Sequence, residues 1–149
     1  MAADFYSIRF SADPVQLTFF RYGLGRWLEG LQWPEGERDE VILAVSEACT
    51  NSVQHAYPVG FPGDVEVVGR LVLGLSRRRV AVTVRDWGEW RSETGGNGFG
   101  LVVVRGCMER VNVRHDGHGT VVTMVSRPVP SIGAVASSAE AGNQGSSGV

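Results

Sequence analysis

Residues 37–56 carry two kinds of side chain at helical spacing, and this feature constrains the fold more than any other. Apolar residues recur every three or four positions, as expected for a helix face buried in a core. These residues are Val41, Ile42, Val45, Ala48, Cys49 and Val53. Glu47, Asn51 and His55 follow at four-residue steps and form a narrow polar stripe on another face. The apolar face needs other elements to cover it, and the stripe needs a partner of its own.

The remaining patterns predict what covers that helix. Apolar and polar residues alternate at 5–10 and 79–85, which predicts strands, and further strands are predicted in the apolar-rich runs at 65–75, 111–113 and 119–125. Asp13 and Pro14 predict the start of a first helix, since a capping side chain and a proline at the first helical position both favour it. A short apolar helix is predicted at 98–108. The order β-α-α-β-β-loop-α-β-β predicts an α/β two-layer sandwich, with helices on one face of a mixed, mostly antiparallel sheet.

Composition divides the chain into two parts. Residues 1–127 are predicted to form one domain, whereas residues 128–149 are rich in Ser, Ala, Gly and Pro. Such a segment cannot offset the entropy of ordering, so a disordered low-complexity tail is predicted there. No apolar run approaches the roughly 20 residues that span a bilayer, and the N-terminus lacks a secretion signal. We therefore expect a cytoplasmic protein that does not associate with membranes.

The basic residues exclude several function classes. All 14 are arginine, and the absence of lysine excludes P-loop NTPases, eukaryotic-type protein kinases and Schiff-base enzymes. A formal net charge of -2 gives no reason to expect direct nucleic-acid binding. The basic cluster at 77–79 is expected to be a solvent-exposed turn between two strands. Cys49 and Cys107 are expected to be buried free thiols.

Three short motifs suit nucleotide chemistry, although each also has an ordinary structural explanation. Glu47 and Asn51 can place a general base beside a Mg²⁺ ligand, or can simply face solvent. Asp86 ends a strand two residues before Gly88, and it can accept a hydrogen bond from an exocyclic amine or form a plain turn. The glycines at 95–100 precede a helix, whose N-terminus suits phosphate, or they form an ordinary turn.

In their order along the chain, these motifs resemble the boxes of the Bergerat-type ATPases. This histidine-kinase-like superfamily includes histidine kinases, type II topoisomerases and anti-sigma-factor serine kinases. The likeness covers residues 5–127 and rests on EACTN at 47–51, HAY at 55–57, DWG at 86–88, GNGFGL at 96–101 and GT at 119–120. The short size, FSA at 10–12 and the end of the second helix are most similar to the anti-sigma-factor serine kinases (RsbW-like).

The resemblance implies roles for individual residues. Glu47 would be the general base for a serine hydroxyl, and Arg21 would lie near the phosphates and the partner surface. Asn51 would be a Mg²⁺ ligand, and Asp86 would bind the adenine amine. The residues implied in ATP binding are Asn51, His55, Asp86, Gly88, Gly96, Asn97, Gly98, Gly100, Leu101 and Thr120.

The implied activity is that of an ATP-dependent serine/threonine kinase that is also an anti-sigma factor. It would phosphorylate a STAS-type anti-sigma-factor antagonist and sequester a sigma factor. A non-catalytic nucleotide-binding anti-sigma or adaptor module is the alternative, because Trp90 replaces a glycine of the family pattern, the loop at 89–97 is short and a second arginine has no counterpart. Family members are commonly dimeric. The residues that would form either a homodimer surface or core are Trp27, Leu28, Leu31 and Trp33.

Overall fold

The computed structural model describes residues 4–61, 63–89 and 97–132. Its elements in chain order are β1 (Phe5–Ser11), α1 (Pro14–Gly30), α2 (Glu35–His55), β2 (Asp64–Leu73), β3 (Arg77–Asp86), α3 (Asn97–Cys107), β4 (Arg110–Asp116), β5 (Gly119–Val125) and β6 (Val129–Pro130). The predicted order is confirmed, and α1 begins as expected: Pro14 is its first residue and the Asp13 side chain accepts from the backbone N–H of Val15 at 3.0 Å.

The sheet has the strand order β1-β2-β3-β5-β4, and β6 pairs with β3 beyond that path. Each of the five strand pairings within the described residues is antiparallel. The prediction of a mixed, mostly antiparallel sheet allowed for parallel pairs, and none occurs in this part of the chain. The two-layer α/β architecture is confirmed. No helix within the described ranges is long and apolar enough to cross a membrane.

One hydrophobic core lies between the helices and a single face of the sheet. Inward-facing strand residues such as Val67, Val82 and Met124 are fully buried, as are Phe20 and Leu28 of α1. They belong to one cluster with the apolar face of α2, which the helical spacing predicted. Because successive strand residues point to opposite faces, the alternate strand residues form an outer face that no described helix covers.

The aromatic residues at the end of α1 are core residues. Trp27, Leu28, Leu31 and Trp33 are all buried within the monomer. Burial at 8% exposure or less leaves them no area for a second copy. These four residues therefore belong to the core and do not form a homodimer surface. Any homodimer must use another surface.

The expectation for the arginines at 77–79 is wrong. They begin β3 instead of forming the turn, and Arg78 is buried. Its guanidinium donates to the carbonyl oxygens of Leu31, Gln32 (2.8 Å) and Pro130 (3.3 Å), and it lies over the Trp33 ring at 4.8 Å. Burial lowers the pKa of Arg78 from its usual value. The prediction failed because charged clusters are usually solvated, whereas three backbone carbonyl oxygens accept hydrogen bonds from the buried guanidinium of Arg78.

The segment that follows β5 also differs from expectation. Residues 128–132 fall within the predicted disordered tail, but Val129 and Pro130 form β6 and pair with Arg78 and Arg77 of β3. Val129 is buried in the core. Ordered structure therefore extends past the predicted boundary at 127, while residues 133–149 of the predicted tail lie outside the described residues.

Candidate functional site

The polar stripe on α2 contains two groups that have no partner among the described residues. Glu47 is half-buried, and its carboxylate makes no hydrogen bond or ion pair there. Asn51 is 7% exposed, and its side-chain amide likewise makes no hydrogen bond. His55 is half-buried at the last residue of the helix. Because buried polar groups are normally satisfied, Glu47 and Asn51 are suited to a ligand that supplies the missing contacts.

The Asp86 carboxylate, at the end of β3, is held in one orientation. Asp86 is 1% exposed. Its Oδ2 accepts from the Ser52 hydroxyl at 2.8 Å, and its Oδ1 accepts from the Gly88 backbone N–H at 3.2 Å. Ser52 lies on α2 next to Asn51, so these bonds connect the end of β3 directly to the helix that carries the stripe. Each carboxylate oxygen has further lone pairs, which can accept from an amine donor.

Position 88 requires a glycine because the backbone of Ala56 lies against it. A Cβ on Gly88 would lie 1.9 Å from the carbonyl oxygen of Ala56, and the backbone N–H of Glu89 donates to that same oxygen at 2.9 Å. The chain that follows Asp86 therefore rests directly on the C-terminal end of α2. No side chain fits in that space without displacing one of the two backbones.

Thr120 lies beside Asp86 on the neighbouring strand. The two residues are partners in the β3–β5 register, and Thr120 is 2% exposed. Its Oγ1 lies 2.9 Å from His115 Nδ1. The preceding residue, Gly119, has φ +148°, and a Cβ there would lie 2.0 Å from the backbone oxygen of Asp86. The GT pair thus allows β5 to approach the end of β3 closely.

Tyr57 joins three parts of the site. Its hydroxyl accepts from the backbone N–H of Trp87 at 2.8 Å and donates to the carbonyl oxygen of Asp64 at 2.6 Å. Burial, the largest cause, raises the pKa of Tyr57 above its usual value, so the phenol stays protonated and able to donate. The start of β2, the residue after Asp86 and the end of α2 are therefore tied together by one hydroxyl.

A cleft of about 720 Å³ lies between the end of α2 and the chain that follows Asp86. Residues 54–59 and 87–89 line it, so it includes His55 and Gly88 from the predicted site. Its size falls within the range of pockets that hold drug-sized ligands or cofactors. Trp87 and Gly88 in its wall directly follow Asp86 in the chain, so the cleft lies next to the end of β3.

Arg21 lies on α1 and is exposed, and it makes no hydrogen bond or ion pair with the described residues. Burial raises the pKa of the Cys49 thiol, and the positive charge of Arg21 acts in the opposite direction. Arg21 is therefore close enough to α2 for its charge to act on Cys49, two residues before Asn51. Cys49 and Cys107 are both free, Cys49 buried and Cys107 partly buried.

The glycine-rich segment is only partly within the described residues. Gly96 lies outside them, and α3 begins at Asn97, so Asn97, Gly98, Gly100 and Leu101 form its first turn. The N-terminus of an eleven-residue helix presents backbone N–H groups and the positive end of its dipole, which suits an anion. Because α3 packs against α2, this segment belongs to the same helical layer as the stripe.

The donor set suits a metal ion that takes few protein ligands. Among residues 4–61, 63–89 and 97–132, no group of three or more His, Cys, Asp or Glu side chains could hold a metal ion. Mg²⁺ usually keeps several waters and shares the phosphate oxygens of a substrate, so it does not need such a cage. The unpartnered amide of Asn51, one helical turn from Glu47, fits a Mg²⁺ ion of this kind and does not fit a structural metal site.

Sequence reasoning missed three residues that build this site: Ser52, Tyr57 and Gly119. A signal existed for Ser52, because it continues the apolar positions of Ala48 and Cys49 and a polar residue there must find a buried partner. Gly119 and Tyr57 lie within the motifs that carry the family resemblance, but the resemblance implies no role for either residue. Their roles depend on backbone approaches between distant segments, which spacing along the chain does not reveal.

Comparisons with known proteins identify a family for the chain. Residues 10–126 match the family described as "Histidine kinase-like ATPase domain". The chain is 27% identical over 138 residues to "Serine-protein kinase RsbW" of Bacillus licheniformis, covering 80% of this chain and 84% of that protein. It is 32% identical over 87 residues to the protein of the same name from Bacillus subtilis (strain 168), covering 58% of this chain but only 52% of the relative.

A solved structure has the same fold. The crystal structure of the RsbU and RsbW domains of a Mycobacterium tuberculosis protein matches with a TM-score of 0.68 and 21% sequence identity. The match covers 87% of this chain and 34% of that longer one. The likeness concerns the fold alone, since the identity is low. The family match across residues 10–126, which is more than half of the chain, shows that the chain belongs to the histidine kinase-like ATPase domain family.

Proposed function

We propose that this protein is an ATP-dependent protein-serine kinase and anti-sigma factor. It phosphorylates a STAS-type anti-sigma-factor antagonist and sequesters a sigma factor in the cytoplasm. The observation that carries the proposal is the Asp86 carboxylate, buried at the end of β3, held by Ser52 and the Gly88 N–H, and adjacent to a nucleotide-sized cleft. The RsbW relatives, named as serine-protein kinases, support the choice of acceptor.

Residues at the ends of α2 and β3, on β5 and in the first turn of α3 together bind ATP. Asp86 accepts from the adenine amine, with Thr120 beside it. Gly88 keeps that edge open, because its missing side chain lets the chain rest on α2. His55 lines the cleft. The first turn of α3, formed by Asn97, Gly98, Gly100 and Leu101, would bind the phosphates; Gly96, which the resemblance also implies in ATP binding, lies outside the described residues.

The transfer step needs a base, a metal ligand and positive charge. Glu47 takes the proton from the acceptor serine as the serine oxygen bonds to the γ-phosphorus and the bond from that phosphorus to the β–γ bridging oxygen breaks, releasing ADP. Asn51 holds Mg²⁺, which neutralises phosphate charge when bound. Arg21, unpaired among the described residues, supplies charge from α1.

The phosphorylated antagonist then leaves its partner. A phosphoserine carries nearly two negative charges and is costly to bury against a carboxylate such as Glu47. The released kinase is free to hold its sigma factor. A homodimer remains part of the proposal, formed by a surface other than the buried residues at the end of α1.

The test is a calorimetric titration of ATP with and without Mg²⁺. The wild type should bind ATP more tightly with Mg²⁺. Asp86→Asn should weaken binding by about tenfold to a hundredfold, the range for losing a hydrogen bond to a charged group. Asp39→Asn, at an exposed carboxylate on the same α2 helix, is the matched control and should bind like the wild type. No binding by the wild type would contradict the proposal.

Catalysis is tested separately with Glu47→Gln and a purified STAS-domain protein. This variant should keep its ATP affinity and lose phosphoserine formation, as detected by mass spectrometry, whereas Glu37→Gln, at an exposed position of α2, should keep both. A fully active Glu47→Gln would contradict the role of base. Wild-type protein that binds ATP and the partner without transfer would favour the non-catalytic adaptor, which the short loop at 89–97 also supports.

A further inference from the structure

The outer face of the sheet has two arginines in one row across its strands. Arg85 on β3 and Arg114 on β4 are both register partners of Val121 on β5. Their sequence neighbours Val84 and Val122 point into the core, so these side chains point away from the helices. The two arginines thus lie on the sheet face that points away from the helices, separated by one strand.

A cavity of about 280 Å³ opens between them. Its walls are Arg85, Asn112, Arg114, Asp116, Val121 and Thr123. Two guanidinium groups, one amide and one hydroxyl therefore face a single small space. All four side chains can donate hydrogen bonds.

The arginines have no counter-ion among the described residues. No carboxylate there lies within ion-pair distance of Arg85 or Arg114. The Nε atom of Arg85 is buried and has no hydrogen-bond partner in the part of the chain that the structure describes. Asp116, the acid in the wall, uses its Oδ1 to accept from the backbone N–H of His118 at 2.7 Å. A buried guanidinium N–H without an acceptor is unfavourable, and an anion in the cavity would remove that cost.

We propose that this cavity binds the phosphate group of a small molecule such as inorganic phosphate or pyrophosphate. Guanidinium groups match phosphate oxygens with paired, charge-assisted hydrogen bonds, and two of them balance a dianion. Asn112 and Thr123 complete the donors around the remaining oxygens. The volume is below the usual range for drug-sized ligands, which favours a compact anion over a whole nucleotide. This inference does not depend on the proposed kinase activity.

Trp87 lies close enough to this cavity for its fluorescence to report anion binding. The guanidinium of Arg85 lies 5.3 Å from the centre of the Trp87 ring, and that of Arg9 lies 4.3 Å from it. Trp87 also lines the nucleotide cleft. An anion that draws Arg85 towards the cavity changes the charge next to this indole, so binding is expected to change tryptophan fluorescence.

The experiment is a titration of the full chain with sodium pyrophosphate, and separately with inorganic phosphate, at constant ionic strength. Heat and tryptophan fluorescence are both recorded. Saturating ADP is present throughout, so that the nucleotide cleft is occupied if it functions, and Mg²⁺ is left out because it forms a complex with pyrophosphate. We expect saturable binding that Arg85→Gln and Arg114→Gln each weaken by about tenfold or more. Arg70→Gln is the matched control: an exposed arginine on the same face but outside the cavity, whose loss should have little effect.

Three outcomes would overturn the proposal. Wild-type protein that shows no saturable heat with either anion has no such site. Binding that survives Arg85→Gln and Arg114→Gln lies elsewhere, and equal losses for all three variants would indicate general attraction to positive charge. If pyrophosphate binds as predicted while ADP does not bind at all, the kinase proposal fails and this one stands.

Discussion

The most direct test of the site's construction is to add one methyl group at Gly119. The residue begins β5 with φ +148°, and a Cβ there would lie 2.0 Å from the backbone oxygen of Asp86 and 2.8 Å from the Cα of Trp87. Both neighbours are main-chain atoms, which cannot move away by a change of rotamer. Gly119→Ala must therefore separate β5 from the end of β3 or force the backbone into another conformation.

The cost has two parts. A side chain at this φ costs about 1–3 kcal/mol, and overpacking against fixed atoms costs about 1–3 kcal/mol more. The sum of about 2–6 kcal/mol is a large share of the 5–15 kcal/mol by which domains are usually stable. For a chain of this size, 1 kcal/mol corresponds to a shift of roughly 2–4 °C in Tm, so we expect Tm to fall by about 5–20 °C.

The assay is thermal unfolding followed by circular dichroism, with Gly117→Ala as the matched control. Gly117 lies two residues earlier in the same hairpin, and an added Cβ there would meet no atom within 4 Å. That variant should be neutral or slightly more stable, since alanine restricts the unfolded chain. Equal Tm values for the two variants would refute the close approach of β5 to Asp86.

Three further changes test other parts of the chain. Ser52→Ala removes the donor to Asp86 Oδ2 and should cost about 1–3 kcal/mol in urea unfolding. Ser46→Ala removes a buried hydroxyl that has no partner among residues 4–61, 63–89 and 97–132, so it should cost close to nothing, and equal effects would contradict the role of Ser52. Arg78→Ala leaves three carbonyl acceptors unpaired and should cost about 3 kcal/mol or more by the same assay; less than 1 kcal/mol would contradict its role. Burial raises the pKa of Tyr6 to about 12, while an unfolded tyrosine ionises near pH 10. Between these values the folded state binds more protons, so stability falls as pH rises. Tyr6→Phe should reduce that fall in urea midpoints measured at pH 9 and 11, and an unchanged slope would show that Tyr6 is not its source.

Much of the fold could be predicted because local patterns and tertiary structure agree. The cap at Asp13, the apolar face of α2 and the limits of β5 at residues 119–125 follow from side-chain spacing alone. The errors concern residues whose environment is set by distant segments. Arg78 looks solvated in the sequence, yet carbonyls from the end of α1 and from β6 surround it.

The candidate site was predictable to a similar extent. Glu47, Asn51 and Asp86 could be named because charged or amide groups at helix and strand positions need an explanation. The residues that hold them could not, since the bond from Ser52 to Asp86 joins positions 34 residues apart. Contacts of this kind depend on how α2 lies across the sheet, which no short window of sequence contains.

Strand β6 bears on where this domain can be joined to another. Val129 is buried in the core, and the Pro130 carbonyl oxygen accepts a hydrogen bond from Arg78. This short strand therefore holds the segment after β5 against the start of β3. A fusion protein joined directly after Arg127 would lose both contacts and leave Arg78 short of an acceptor. A fusion junction placed after Ile132 would keep both contacts. In a longer polypeptide built on this fold, the linker therefore begins several residues later than composition alone would place it.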